Sequence, residues 1–161
     1  MLALVHLLDR VYLRVTGAVP FHLLVWPTRI LLAIAFLPSG ATKVMRAPFT
    51  ELPPSDPIGG FFDHLEAMPP VYVLAGVAQL AAAALLVLPW TALLGALVYF
   101  PVIVGIVVIT WSLPFGNTRY ITAAMLLGTV FLLCWDWPRI RYILVPRANL
   151  PTPPDNDSGS R

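Results

Sequence analysis

The chain has 161 residues, 58% of them hydrophobic and 11% charged, with a formal charge of +2 and a mean hydropathy of +0.81. Soluble domains carry about 25% charged residues, so the composition excludes a soluble domain and points to a one-domain integral membrane protein. The small, scattered charge argues against a nucleic-acid partner, and the single cysteine, Cys134, excludes an intrachain disulfide, a Cys-x-x-Cys pair or a thiolate metal cage.

Residues 1–16 read as an interfacial amphipathic helix: His6, Arg10 and Arg14 recur at spacing four on one face, among leucines and valines. Arg10 and Arg14 interrupt the apolar run and no small-residue cleavage site follows, which argues against a cleavable signal peptide. Four membrane spans are then expected within residues 17–138, at about 27–46, 71–88, 91–111 and 119–136. The first, Trp26 to Met45, is long enough to cross a bilayer but carries Arg29 and Lys43. Steps of three and four place Arg29, Ala33, Phe36, Gly40 and Lys43 on one helical face, with the two charges about 21 Å apart. Pro20 and Pro27 both offer a start, since proline at the first helical position forfeits no hydrogen bond; Pro27 is favoured because it puts Arg29 at the membrane rim. Pro38 falls inside the span and should kink it, freeing the carbonyl of Ile34.

Arg46 to Pro70 reads as a polar loop carrying Glu51, Asp56, Asp63 and Glu66, with a short helix over Gly59 to Ala67. A loop of that length is usually functional or flexible. The second span holds Gly76, Gln79 and the small residues Ala81 to Ala84, suited to close helix packing. Pro89-Trp90 turns the chain into the third span, which holds Gly95, Tyr99, Pro101 and Gly105. After the short loop Ser112 to Thr118, the fourth span places Thr122, Thr129 and Asp136 on one face. Residues 139–161 read as a tail, first basic at Arg139, Arg141 and Arg147, then disordered. The arginines flanking the first and last spans put both termini in the cytoplasm and the acidic loop outside, in a multi-pass protein of the cell membrane.

Intramembrane charges seek partners. Arg29 and Asp136 share a depth at the cytoplasmic rim, and an ion pair between them would tie the first span to the fourth; the alternative is that Arg29 snorkels to headgroups. Gln79 lies deep enough that an unpaired amide is costly, with Tyr99, Thr122 or Thr129 as candidate partners. Its bland role is interhelical hydrogen bonding. Its functional role would be to line, with Lys43, Tyr99 and Thr122, a pocket open to the outer side, with Pro38 and Pro101 bending their helices around it. Such a pocket would take a quinone head group or a small anion, although Lys43, beside the acidic loop, could also be a structural anchor. His6, His22 and His64 are too dispersed for a metal site, and Cys134 reads as an apolar packer.

The run Arg29…Phe36-Leu37-Pro38-Ser39-Gly40…Lys43, with Gly76…Gln79, Leu94-Gly95-Ala96, Asn117-Thr118, Ile121-Thr122 and Leu132-Leu133-Cys134-Trp135-Asp136, resembles the DoxX-like family of small four-helix membrane proteins, over about Pro27 to Arg139. The resemblance implies a four-helix membrane bundle. It also implies a link to membrane oxidoreductase complexes, since the family is named for relatives of a thiosulfate:quinone oxidoreductase subunit. No catalytic motif of that chemistry can be carried onto this chain. The first expectation is therefore a non-catalytic subunit or scaffold of a larger membrane complex, in contact with the lipid bilayer. The second is a quinone-binding subunit of a membrane oxidoreductase, with quinone as its cofactor. A transporter has little support, because no inverted repeat or paired set of broken helices is present.

Overall fold

The computed structural model of the chain describes residues 19–144. The amphipathic start expected over 1–16, the tail beyond residue 144 and the arginines at 10, 14 and 147 lie outside the described residues. Six helices follow one another: α1 (Val19–Val44), α2 (Pro57–Glu66), α3 (Pro69–Val87), α4 (Ala92–Ser112), α5 (Thr118–Trp135) and α6 (Trp137–Leu144). Four of them are long and apolar enough to cross a membrane, at Leu23–Val44, Pro69–Val87, Ala92–Ser112 and Thr118–Trp135. The molecule is an all-α membrane protein.

The surface is inverted relative to a soluble protein. Leu23, Leu31, Leu74 and Leu127 are each at least two-thirds exposed, at 74%, 67%, 68% and 70%, an apolar exterior that water would not tolerate and that lipid accepts. Inside, Phe36, Ala82, Leu86, Tyr99, Ile103 and Leu132 form the core. The spans pack in chain order, α1 on α3, α3 on α4 and α4 on α5, and α5 returns to α1. Lipid supplies no hydrophobic drive for this association, so contact distance matters. A β-carbon on Gly76 would stand 2.9 Å from the Gly40 carbonyl oxygen and 2.7 Å from the Lys43 β-carbon. These glycines let α1 and α3 touch backbone to backbone. Gly95 does the same between α4 and α3, where a β-carbon would meet the Leu86 nitrogen at 2.7 Å.

Two boundaries differ from those read in the sequence. Helix α1 begins at Val19, upstream of Pro27, and runs through both Pro27 and Pro38. In apolar surroundings, leaving the helix at a proline strands more backbone groups than the single bond the proline forfeits. Beyond Asp136 the chain does not pass straight into a tail: Trp137–Leu144 forms α6, which packs on α5. Pro138 falls in its first turn, where proline is tolerated.

The segment between α1 and α3 folds back over one end of the bundle. Asp56 caps α2, its Oδ1 accepting from the Ile58 and Gly59 amides at 2.8 and 3.4 Å, with Pro57 at the first helical position. The α2 backbone lies against the preceding strand of loop, where a β-carbon on Gly59 would collide with the Pro53 and Leu52 carbonyl oxygens.

Candidate functional site

Between the four spans, at the end covered by α2, lies a cavity of about 460 Å³. That is within the range of small-molecule pockets, roughly 300 to 1,000 Å³. Helix α1 contributes Ala35, Phe36, Ser39 and Lys43, α3 contributes Ala75 and Gln79, and α4 contributes its face from Pro101 to Thr110. Helix α5 adds Thr118, Ile121, Thr122 and Met125, while Phe49, Phe61, Phe62 and Leu65 form a roof. Ala35 and Ile121, on α1 and α5, line the cavity and are exposed, so it reaches the lipid-facing surface there. Gly105 faces it with nothing within 4 Å of where a β-carbon would stand.

One wall is polar. Lys43 and Ser39 lie one helical turn apart on α1, and Lys43 Nζ donates to Ser39 Oγ at 2.6 Å and to the Ser39 carbonyl at 3.2 Å. Ser39 Oγ in turn donates to Gln79 Oε1 at 3.3 Å across the α1–α3 contact that Gly40 and Gly76 allow. Lys43 is 7% exposed and Gln79 1%. The ammonium is held over the Phe49 ring, 4.4 Å from its centroid, and 6.0 Å from that of Tyr72, a cation–π arrangement. Tyr72 Oη donates to the Ala47 carbonyl at 3.0 Å and so fixes the start of the loop.

The roof is aromatic. Phe49 stacks on Phe62 with centroids 4.2 Å apart, and Phe62 meets Phe61 and Phe115 edge-on at 5.3 and 6.3 Å. The Phe49 amide donates to Glu66 Oε1 at 2.8 Å, which closes the loop on α2.

The structure gathers Lys43, Gln79 and Thr122 on this cavity and leaves Tyr99 out. Tyr99 is fully buried, stacks on Phe36 at 3.6 Å and donates to the Leu32 carbonyl at 3.4 Å. Gln79 therefore takes Ser39 as its partner, instead of Tyr99, Thr122 or Thr129. The Thr122 hydroxyl is joined to that of Thr110 at 2.9 Å and donates to the Arg119 carbonyl at 3.0 Å, and Thr129 donates to the Met125 carbonyl at 2.8 Å. Pro101 is in the cavity wall and Pro38 is not. Lys43 also departs from expectation, since it pairs with none of the loop acids; the ion pairs among the described residues both involve Asp136.

Sequence reasoning missed Ser39 as the link, although its place four residues before Lys43 on the same face was a usable signal. It also missed the phenylalanine roof, which depends on how the loop folds back and has no periodic signature.

At the opposite end of the bundle, Arg29 Nη2 lies 3.5 Å from Asp136 Oδ2, both side chains nearly buried. Arg139, mostly exposed, approaches Asp136 Oδ1 at 3.3 Å. The nearby α1–α5 contact runs through Gly128, where a β-carbon would meet the Thr28 methyl at 3.3 Å.

Comparison with curated proteins and with solved structures yields no match. Residues 24–111, which run from α1 to the end of α4 and include Lys43, Ser39 and Gln79, match the DoxX family profile. The chain belongs to the DoxX family.

Proposed function

We propose that this DoxX-family protein is a quinone-binding subunit of a membrane oxidoreductase complex. The observation that carries the reading is the cavity itself, a mostly apolar chamber within the membrane-spanning region, with Lys43, Ser39 and Gln79 gathered at one wall and threonine hydroxyls on α4 and α5. Its residues fit a quinone head. Phe36, Phe61 and Phe62 offer ring surfaces, Lys43 and Gln79 offer hydrogen-bond donors to a carbonyl oxygen, and the opening at Ala35 and Ile121 leaves a path for an isoprenoid tail into lipid. A bound quinone would supply two-electron carrier chemistry, which the residues themselves lack; the chain's part is to hold and orient it, with electrons delivered by a partner subunit.

The test is to purify the tagged protein in mild detergent and extract its lipids for quinone. Wild type should carry quinone, while Gln79→Leu and Gly105→Phe, which remove a donor and fill the chamber, should lose most of it at unchanged helix content. Wild type free of quinone would overturn the reading and return the protein to a non-catalytic scaffold. The same purification, with partners identified by mass spectrometry, tests the complex: a flavoprotein or cytochrome is expected.

The proposed orientation keeps the α2 loop outside the cell membrane and the Arg29–Asp136 end in the cytoplasm, in line with the arginines at that end. A cysteine placed at His64 in a Cys134→Ala background should react with a membrane-impermeant maleimide in intact cells. Labelling only after lysis would reverse the orientation.

A further inference from the structure

We infer that the cavity selects amphiphiles whose head group carries a negative charge on oxygen, with Lys43 as the counter-charge; this deepens the ligand-site reading above and rests on it. Of the residues lining the cavity, Lys43 is the one ionisable side chain, and no Asp or Glu lies in the wall. The acids nearest in sequence are spoken for or turned away. Asp56 caps α2, Glu66 accepts from the Phe49 amide, and Glu51 and Asp63 are exposed. A buried charge is normally paired, and a lysine at a membrane rim normally reaches toward water. Lys43 does neither. An ammonium has three donors, and Ser39 takes two of them through its hydroxyl and carbonyl. Beyond Ser39 the ammonium meets aromatic faces, Phe49 at 4.4 Å and Tyr72 at 6.0 Å, so the chamber it lines holds a positive charge with no carboxylate of the described residues within ion-pair distance. Ser39, held between Lys43 and Gln79, fixes the amine at the polar wall, so a head group placed there puts its apolar body among the phenylalanines and toward the lipid opening.

The chemistry recognised is an acidic oxygen on an apolar body, and two sources can supply it: a quinone with an ionised ring hydroxyl, or a fatty acid. The experiment uses a matched pair for each. Full-length protein in phosphatidylcholine nanodiscs is equilibrated at neutral pH with a hydroxynaphthoquinone or its methyl ether, and with dodecanoate or its methyl ester. Binding is measured by dialysis against empty nanodiscs. The ionised member of a pair should bind at least about tenfold more tightly than its neutral partner, the equivalent of one charge-assisted hydrogen bond. Lys43→Met should abolish that preference and Lys43→Arg should keep it.

If the dodecanoate pair binds with the preference and neither quinone binds, the inference stands and the quinone reading fails. If the quinones bind but acid and ether are equal in wild type, the quinone reading stands and the inference is overturned. A preference that survives Lys43→Met also overturns it, and binding of none of the four probes overturns both. Should Lys43→Met not fold, the wild-type comparison of acid with neutral partner decides.

Discussion

Arg29 and Asp136, near opposite ends of the described chain, meet at 3.5 Å and join α1 to the end of α5. Helices α1 and α5 thus touch at this end, while at the other end they line the two sides of the cavity. The pair stands where α1 and α5 are drawn together, opposite the end where they hold a chamber open.

The two charges are not equivalent, and their removal should differ. Asp136 faces Arg29 on one side and the exposed Arg139 on the other. Asp136→Ala leaves Arg29 buried without a partner, whereas Arg29→Ala leaves Asp136 with Arg139. Removing one partner of a buried pair costs about 3 to 5 kcal/mol; Asp136→Ala should approach the lower figure and Arg29→Ala should cost less. The double change Arg29→Met with Asp136→Leu should recover most of the loss, because neither charge is then stranded. Thermal unfolding in detergent measures all three. Equal melting of wild type and Asp136→Ala would show that the pair adds nothing to stability.

The glycines make opposite predictions at similar depths. Gly76→Ala pushes a β-carbon against the Gly40 carbonyl and the Lys43 side chain, so α1 and α3 must separate, at a cost of about 1 to 3 kcal/mol. That separation should also break the Ser39–Gln79 bond and weaken ligand binding. Gly105→Ala adds its methyl into open space and should stabilise α4 by about 0.5 to 1 kcal/mol through helix propensity. Melting temperatures that move the same way in both variants would contradict this account of the packing.

The structure also separates Tyr99 from the ligand site it was expected to join. Tyr99→Phe keeps the stack on Phe36 and removes only the bond to the Leu32 carbonyl, so stability should fall by about 0.5 to 1.5 kcal/mol with quinone content unchanged. Tyr99→Ala empties a fully buried site and should cost about 3 to 5 kcal/mol. Loss of quinone in the stable Phe variant would return Tyr99 to the site.

What could be read from the sequence follows from what kind of signal each feature leaves. The four spans are long apolar runs, and in lipid such runs must be helical, so composition and length sufficed. The helical period alone put Arg29, Phe36, Gly40 and Lys43 on one inward stripe, and all four are buried. The Gln79 partner was misassigned because periodicity gives the face of a helix and not its depth relative to a neighbour; Tyr99 engages Leu32 and Phe36, while Gln79 meets α1 further along, at Ser39. The start of α1 was misplaced because proline is a strong stop only where water can take up the freed carbonyl. The roof was illegible for a further reason: stacked phenylalanines from a loop and a short helix meet through tertiary contact alone.

That roof yields a kinetic prediction. Phe62 is buried at the centre of an aromatic cluster, stacked on Phe49 and edge-on to Phe61 and Phe115. Each such contact contributes about 0.5 to 1.5 kcal/mol beyond simple burial. Phe62→Ala should therefore loosen α2 from the bundle while the four spans, which pack through other residues, stay assembled. Helix α2 itself should persist, because its Asp56 cap is untouched. The expected result is faster amide exchange across residues 46–68 and release of bound quinone accelerated by about tenfold, the equivalent of roughly 1.4 kcal/mol, with little change in the global melting temperature. Hydrogen exchange by mass spectrometry and ligand washout from nanodiscs read the two effects separately. Faster exchange with unchanged washout would mean that the guest leaves through the lipid opening at Ala35 and Ile121, and the roof would then be a structural closure of the bundle with no hand in ligand exchange.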